Sequence, residues 1–182
     1  FSDNVVPWTR GVDRKIFKPA ERKANEKIVL LNVGRVSKEK TLETFYEIDI
    51  PNCQKIQVGD GPMLGKYIKR YPDVNFVGSK RGVELAHYYQ QADVFVFPSC
   101  WDTFGLVMIE AMACGTPVAA FPVQGPLDVI AEGVTGCMNI DLSKAIESAK
   151  HLDRENVFVS SYICSWESAW KIFKDNLVPA KQ

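Results

Sequence analysis

Val94-Phe95-Val96-Phe97-Pro98-Ser99-Cys100-Trp101-Asp102-Thr103-Phe104-Gly105-Leu106-Val107-Met108-Ile109-Glu110-Ala111 is the stretch that decides the fold. Its first four residues form an unbroken apolar run, as in a strand covered on both faces. A polar loop follows, and Gly105 opens a helix that is apolar except for Glu110. Gly115-Thr116-Pro117 then stops that helix, and Val118-Ala119-Ala120 starts another buried strand.

The same unit repeats on both sides. Short apolar runs at 28–33, 55–58, 74–78, 93–97, 117–121 and 136–140 read as strands. The segments between and after them, at about 41–47, 63–71, 82–91, 105–114, 126–132 and 143–152, read as helices. The alternation predicts an α/β fold, a Rossmann-like doubly wound parallel sheet with right-handed crossovers. Residues 1–182 are read as one domain. Within it, 1–27 form a short strand (4–8) and connector, 28–152 the core, and 153–182 C-terminal helices, broken near Cys164-Ser165. Trp166, Trp170 and Phe173 recur at helical spacing, and the expectation is that this stripe covers core, with exposed interface as the alternative for part of it if a second domain is missing.

Composition narrows the function. The 182 residues suit one α/β domain, and 46% hydrophobic with 24% charged residues is ordinary for a globular chain. Lys plus Arg and Asp plus Glu are both 22, so the basic footprint that nucleic acid needs is missing. The five cysteines have no CxxC spacing, which argues against a zinc site or a disulfide framework and suits a reducing compartment. No apolar run approaches the roughly 18 residues of a membrane span. The chain opens on Phe1 without a signal peptide and is expected to be a fragment.

In open α/β sheets, ligands bind beyond the carboxyl ends of the strands, so the strand-to-helix loops are the candidate site. The first loop holds Gly34, expected to permit a tight turn, with Arg35 and Lys40, two cations that suit a diphosphate. Gly59-Asp60-Gly61-Pro62 reads equally as turn chemistry or as support for a neighbouring loop. Gly78-Ser79-Lys80-Arg81-Gly82 would offer backbone groups to a nucleobase, with Lys80 or Arg81 stacking on it. Around Gly105, the free amides of a helix start make an anion cradle. Glu110 lies five residues on, about 7.5 Å along the axis. Asp102 precedes the helix, so two carboxylates that accept from sugar hydroxyls flank the cradle. The alternative makes Asp102 a cap and Glu110 a buried, paired acid. Gly125 reads as a turn or as a backbone approach to a sugar. His87 and His151 have no second ligand at metal spacing, and Cys100 lacks a histidine that would make it a nucleophile.

Taken together, Arg10-Gly11-Val12-Asp13, Val33-Gly34-Arg35 with Lys40, Gly59-Asp60-Gly61-Pro62, Thr103-Phe104-Gly105 through Glu110-Ala111, and Gly115-Thr116-Pro117-Val118 resemble the C-terminal donor domain of GT-B-fold retaining glycosyltransferases of family 4. The resemblance covers nearly the whole chain. It implies that Arg35 and Lys40 hold the diphosphate of a nucleoside-diphosphate sugar, such as a UDP-sugar or GDP-mannose. The amides of Gly105 and Leu106 would complete the cradle, with Gly34, Gly78, Ser79, Arg81, Thr103 and Phe104 also lining the donor site. Glu110 matches the acid that binds the ribose. Asp102 stands where most members have a glutamate that approaches the transferred sugar; it is one methylene shorter. A second departure is Gln124-Gly125-Pro126-Leu127-Asp128, where many members have paired glycines followed by Glu.

The resemblance further implies a hexosyltransferase whose N-terminal acceptor domain is missing here, so that the isolated chain is inactive. The leaving diphosphate assists transfer, and no protein nucleophile, cofactor or metal is implied. The segment 8–13 is similar to members that glycosylate membrane lipids. That suggests a cytoplasmic protein with peripheral contact, through the acceptor domain, to the inner face of a membrane. No GxGxxG, GxxxxGK[ST] or GxSxG occurs in the expected places, which removes dehydrogenase, P-loop and α/β-hydrolase readings. A GT-B epimerase or phosphorylase and a non-catalytic nucleotide-sugar-binding domain remain as alternatives.

Overall fold

The computed structural model describes residues 10–22, 26–101 and 105–177. The expected strand at 4–8 and the candidate residues Asp102, Thr103 and Phe104 lie outside them. Among the described residues, six strands form one parallel sheet: β1 (Ile28–Val33), β2 (Cys53–Val58), β3 (Val74–Phe76), β4 (Val94–Phe97), β5 (Val118–Ala120) and β6 (Gly136–Met138). Their order is β3-β2-β1-β4-β5-β6, so the chain reverses its direction of travel across the sheet between β1 and β4. Crossovers are made by α1 (Glu43–Tyr46), α2 (Leu64–Arg70), α3 (Gly82–Gln91), α4 (Leu106–Ala113) and α5 (Pro126–Val129). The chain then continues through α6 (Leu142–Ala149), α7 (Arg154–Ser160), a 3-10 turn and α8 (Trp166–Asp175).

Strand side chains alternate between two cores, as the two-residue period requires. Leu31, Phe95, Phe97 and Val118 face the core that contains Tyr89, Met108 and Met112. Leu30, Val94, Val96 and Ala119 face the other, with Phe45, Tyr67 and Ile146. That is why the strands read as unbroken apolar runs. The ends differ from expectation where side chains intervene. The helix expected from 41 starts at Glu43, because Thr41 takes a left-handed backbone (φ 48°) and turns its Oγ1 to the carbonyl of Pro98, 2.7 Å away. The helix expected over 126–132 stops at Val129; Ile130 is extended, and the Thr135 hydroxyl accepts from the Ala131 amide at 2.9 Å. The run expected over 136–140 ends at Met138, and Asn139 Oδ1 takes the Asp141 amide at 2.9 Å.

The N-terminal connector is pinned to the C-terminal helices. The Arg14 guanidinium lies 3.8 Å over the Tyr162 ring and donates to Ser161 Oγ at 2.8 Å. Arg154 donates to the carbonyls of Ala92 and Gln90 at 2.7 and 3.1 Å, tying α7 to the end of α3. One expectation fails here. Trp166, Trp170 and Phe173 are 55, 62 and 41% exposed, so the stripe does not cover core; the buried residue of α8 is Ala169. Helical spacing puts three side chains on one face without deciding what that face meets.

Candidate functional site

Three carboxyl-end loops are joined in series by backbone hydrogen bonds. The Gly34 amide donates to Val58 O (3.0 Å), the Val36 amide to Asp60 O (2.9 Å), and the Gly59 amide to Gly78 O (2.9 Å). This close packing depends on Gly59. Its φ is +136°, and a Cβ there would lie 1.9 Å from Gly34 O. The glycine at 59 is therefore demanded by the neighbouring loop as well as by its own turn. Asp60 supports that neighbour through its carbonyl, while its carboxylate accepts from the Gly61 amide at 2.6 Å. Gly34 itself differs from expectation. It lies outside the positive-φ glycines, and a Cβ on it would meet no atom within 4 Å. The tight turn does not need it; its bare backbone leaves room at the cavity wall.

A cavity of about 590 Å³ opens at the switch point between β1 and β4. Arg35, Lys40 and Gly34 line one side, and Gly105, Leu106 and Val107 line the other. Gly105 has a left-handed backbone (φ 68°) and no side chain caps α4; the Gly105 carbonyl takes the Met108 amide at 2.9 Å, while Leu106 and Val107, the first residues of the helix, line the cavity. A Cβ at 105 would press on the movable end of Met108 (Cε, 2.6 Å) and on the Phe97 ring (3.2 Å), so it is the left-handed backbone rather than the space that favours glycine here. A smaller cavity of about 290 Å³ shares Val33, Gly34 and Arg35 with the first and is completed by Val58, Gly59, Asp60, Ser79, Lys80 and Arg81. The two hollows form one continuous stretch along the sheet edge. Lys80 is drawn along α3 to Glu84 (2.5 Å), which raises its pKa and commits its ammonium; Arg81 precedes the helix, exposed. Gly78 stands behind this hollow as the acceptor for Gly59.

Glu110 is placed differently. It does not line either cavity. It is half-buried on α4, and its Oε2 accepts from the hydroxyl of fully buried Tyr89 at 2.8 Å. The Thr116 hydroxyl in turn fixes the Tyr89 carbonyl at 2.5 Å. Burial raises the Glu110 pKa above the ordinary carboxylate range, and the Tyr89 hydrogen bond partly opposes this. Gly125 opens α5 and does not line the main cavity either. Cys100 is half-exposed beside Pro98, and His87 and His151 are exposed.

The raised Glu110 pKa has a checkable consequence. A carboxyl whose pKa is raised on folding favours the native state below its unfolded value, and that advantage is lost as pH rises through the folded value. Glu110→Gln keeps an acceptor for Tyr89 without the charge. Its thermal stability relative to wild type is expected to increase from pH 5 to pH 8. A relative stability that falls over that range would contradict the geometry.

Four polar or charged cavity residues were not picked out from sequence as site residues. Arg10 adds a third cation at the rim, and Glu39 stands among the cations with Ser37 Oγ donating to it at 2.6 Å, which lowers its pKa. Asn32 and Ser99 are buried polar residues of the wall. Arg10 was legible within its motif, though not its position. The other three depend on which loop faces which.

A doubly wound parallel sheet whose chain direction reverses between β1 and β4, with helices between its strands, is a Rossmann-like fold. More particularly, the glycosyl transferases group 1 pattern matches residues 13–155, and the chain belongs to that family. It is 33% identical to a GDP-mannose-dependent alpha-mannosyltransferase of Corynebacterium glutamicum, over 95% of this chain and 44% of that protein. It is 37% identical to the sulfoquinovosyl transferase SQD2 of Arabidopsis thaliana, over 71% of this chain and 28% of that one. The structure of a sucrose-phosphate synthase from Thermosynechococcus elongatus superposes with a TM-score of 0.77 at 30% identity, covering 91% of this chain and 50% of that one. The chain thus spans half or less of the length of these three relatives.

Proposed function

We propose that this chain is the donor-binding half of a retaining hexosyltransferase, which moves a sugar from a nucleoside-diphosphate donor to an acceptor. The observation that carries this reading is the cavity in which Arg35 and Lys40 face the open start of α4. A diphosphate seated there meets cations on one side and helix amides on the other. In the transfer step the glycosidic bond to the phosphate breaks, and negative charge grows on the leaving diphosphate. Fixed donors aimed at that charge stabilise the transition state without reorganising. The smaller hollow at Ser79 and Arg81 would take the base. Glu110 is proposed to accept from the ribose, as the resemblance implies; it lines neither cavity in the structure, so the contact needs Glu110 to turn toward the ligand while Tyr89 now holds its Oε2. Asp102 is proposed to approach the transferred sugar.

The names of the two enzyme relatives, a mannosyltransferase and a sulfoquinovosyl transferase, support sugar transfer over epimerisation or phosphorolysis. Among the described residues no helix is long and apolar enough to cross a membrane. Contact with a lipid acceptor is proposed to be peripheral and to run through the other half.

The test is a thermal-shift panel of UDP, GDP, ADP and their sugars. One nucleoside diphosphate is expected to raise the melting temperature, since a ligand of the native state stabilises it by mass action. This chain alone is expected to transfer no sugar to added acceptor, because closure by a second half must exclude water. A flat panel, or sustained turnover by this chain, would overturn the reading.

A further inference from the structure

Two polar groups in the cavity wall lack partners. Asn32, at the end of β1, donates its Nδ2 to Val96 O at 2.8 Å, which fixes the amide and leaves Oδ1 without a hydrogen bond. Ser99, just past β4, has an unpartnered Oγ. Each residue is only 3% exposed, and both oxygens are shielded from bulk solvent. Buried polar groups in native proteins are almost always paired, so two orphans on neighbouring strands at one cavity need an explanation. The cavity supplies it, since both residues form part of its wall beneath the α4 start.

The chemistry of the orphans limits what they meet. Asn32 Oδ1 only accepts. A phosphate oxygen also only accepts, so the diphosphate cannot satisfy it. Ser99 both donates and accepts, and its hydroxyl reorients by a turn of χ1. The partner must donate to Asn32 and can exchange either way with Ser99, as a hydroxyl does. Phosphate is drawn instead to Arg35, Lys40 and the helix amides across the same cavity.

We infer that Asn32 and Ser99 read hydroxyl groups of the transferred sugar, and so help to set which sugar the donor carries. This rests on the donor-binding reading above. It separates the cavity into a cationic wall for the diphosphate and a neutral polar wall for the sugar. Both oxygens are covered in the structure, so reaching a sugar hydroxyl takes local side-chain movement at Ser99 and at Asn32.

The experiment compares each nucleotide with its sugar: UDP with UDP-glucose, and GDP with GDP-mannose, titrated into wild type, Ser99→Ala and Asn32→Leu. For the pair that wild type binds, each variant is expected to keep nucleoside diphosphate affinity within about twofold and to lose about tenfold for the nucleotide sugar. Ser99→Ala removes one unpaired atom and should fold as wild type, which keeps the test decisive if Asn32→Leu fails to fold. Unchanged affinity for the sugar would overturn the inference and leave a buried water as the partner. Equal losses for nucleotide and nucleotide sugar would also overturn it, placing the pair under the diphosphate. If wild type binds neither nucleotide nor sugar, the donor-binding reading itself has failed, which is a separate outcome.

Discussion

Arg35→Ala is expected to lower affinity for the bound nucleoside diphosphate about a hundredfold, and for the matching free nucleoside no more than about twofold. Arg35 is exposed and lies where the two hollows of the sheet edge meet. A guanidinium grips two phosphate oxygens in one plane, so its removal takes away paired, charge-assisted hydrogen bonds. Lys40 is half-buried and acts as a point charge on a flexible stem; Lys40→Ala is expected to cost about tenfold. Both losses should shrink as salt rises, because the rim of the cavity is open to counterions. Titration of each variant with nucleotide and nucleoside checks this. Equal losses for the two ligands would move the residues to the fold or to the base. No loss for either would leave a solvated basic loop.

The second large effect concerns stability. Gly59→Ala places a methyl 1.9 Å from Gly34 O at a φ of +136°, where L residues are strained even with free space. Neither obstacle is a flexible side chain, so the loops after β1 and β2 must separate. The expected cost is about 3 kcal/mol or more, or roughly 10 °C in melting temperature for a chain of this size. Because the Gly34 loop carries Arg35, diphosphate affinity should fall as well. Gly34→Ala is the natural control. Its Cβ meets nothing within 4 Å, and the expected change in stability is within about 0.5 kcal/mol. Thermal melts of the two variants check the contrast. Similar melting temperatures would mean that the loops are not packed as described.

The strands were legible because burial on both faces leaves a continuous apolar signature, and all six fall within two or three residues of the sequence reading. The 82–91 helix matches at both ends. Boundaries slipped where a side chain takes a backbone group, as Thr41 does the distant Pro98 carbonyl and Thr135 the Ala131 amide four residues back. The site was legible to the extent that topology fixes it. Arg35, Lys40, Gly105 and Leu106 share one cavity because they leave β1 and β4, the strands at the switch point. Partners across elements were not legible. A buried, paired Glu110 was a weighed alternative, but nothing in the spacing of residues 89 and 110 pointed to Tyr89. Only the packing of α3 on α4 brings the two together. Lys80 was read as a group free to stack, yet Glu84, one turn along α3, takes it. Asn32 looked like one more residue of an apolar strand. Its orphaned oxygen becomes visible only once Val96 has taken the other end of the amide.

The central claim is that the cavity between the β1 loop and the α4 start holds a nucleoside diphosphate through protein groups alone. Isothermal titration of this chain with UDP and with GDP, in the presence of a metal chelator, tests it most directly. Binding of one of them at one site per chain is expected in chelator, with that affinity lost in Arg35→Ala. No heat with either nucleotide, or binding that survives Arg35→Ala undiminished, would contradict it.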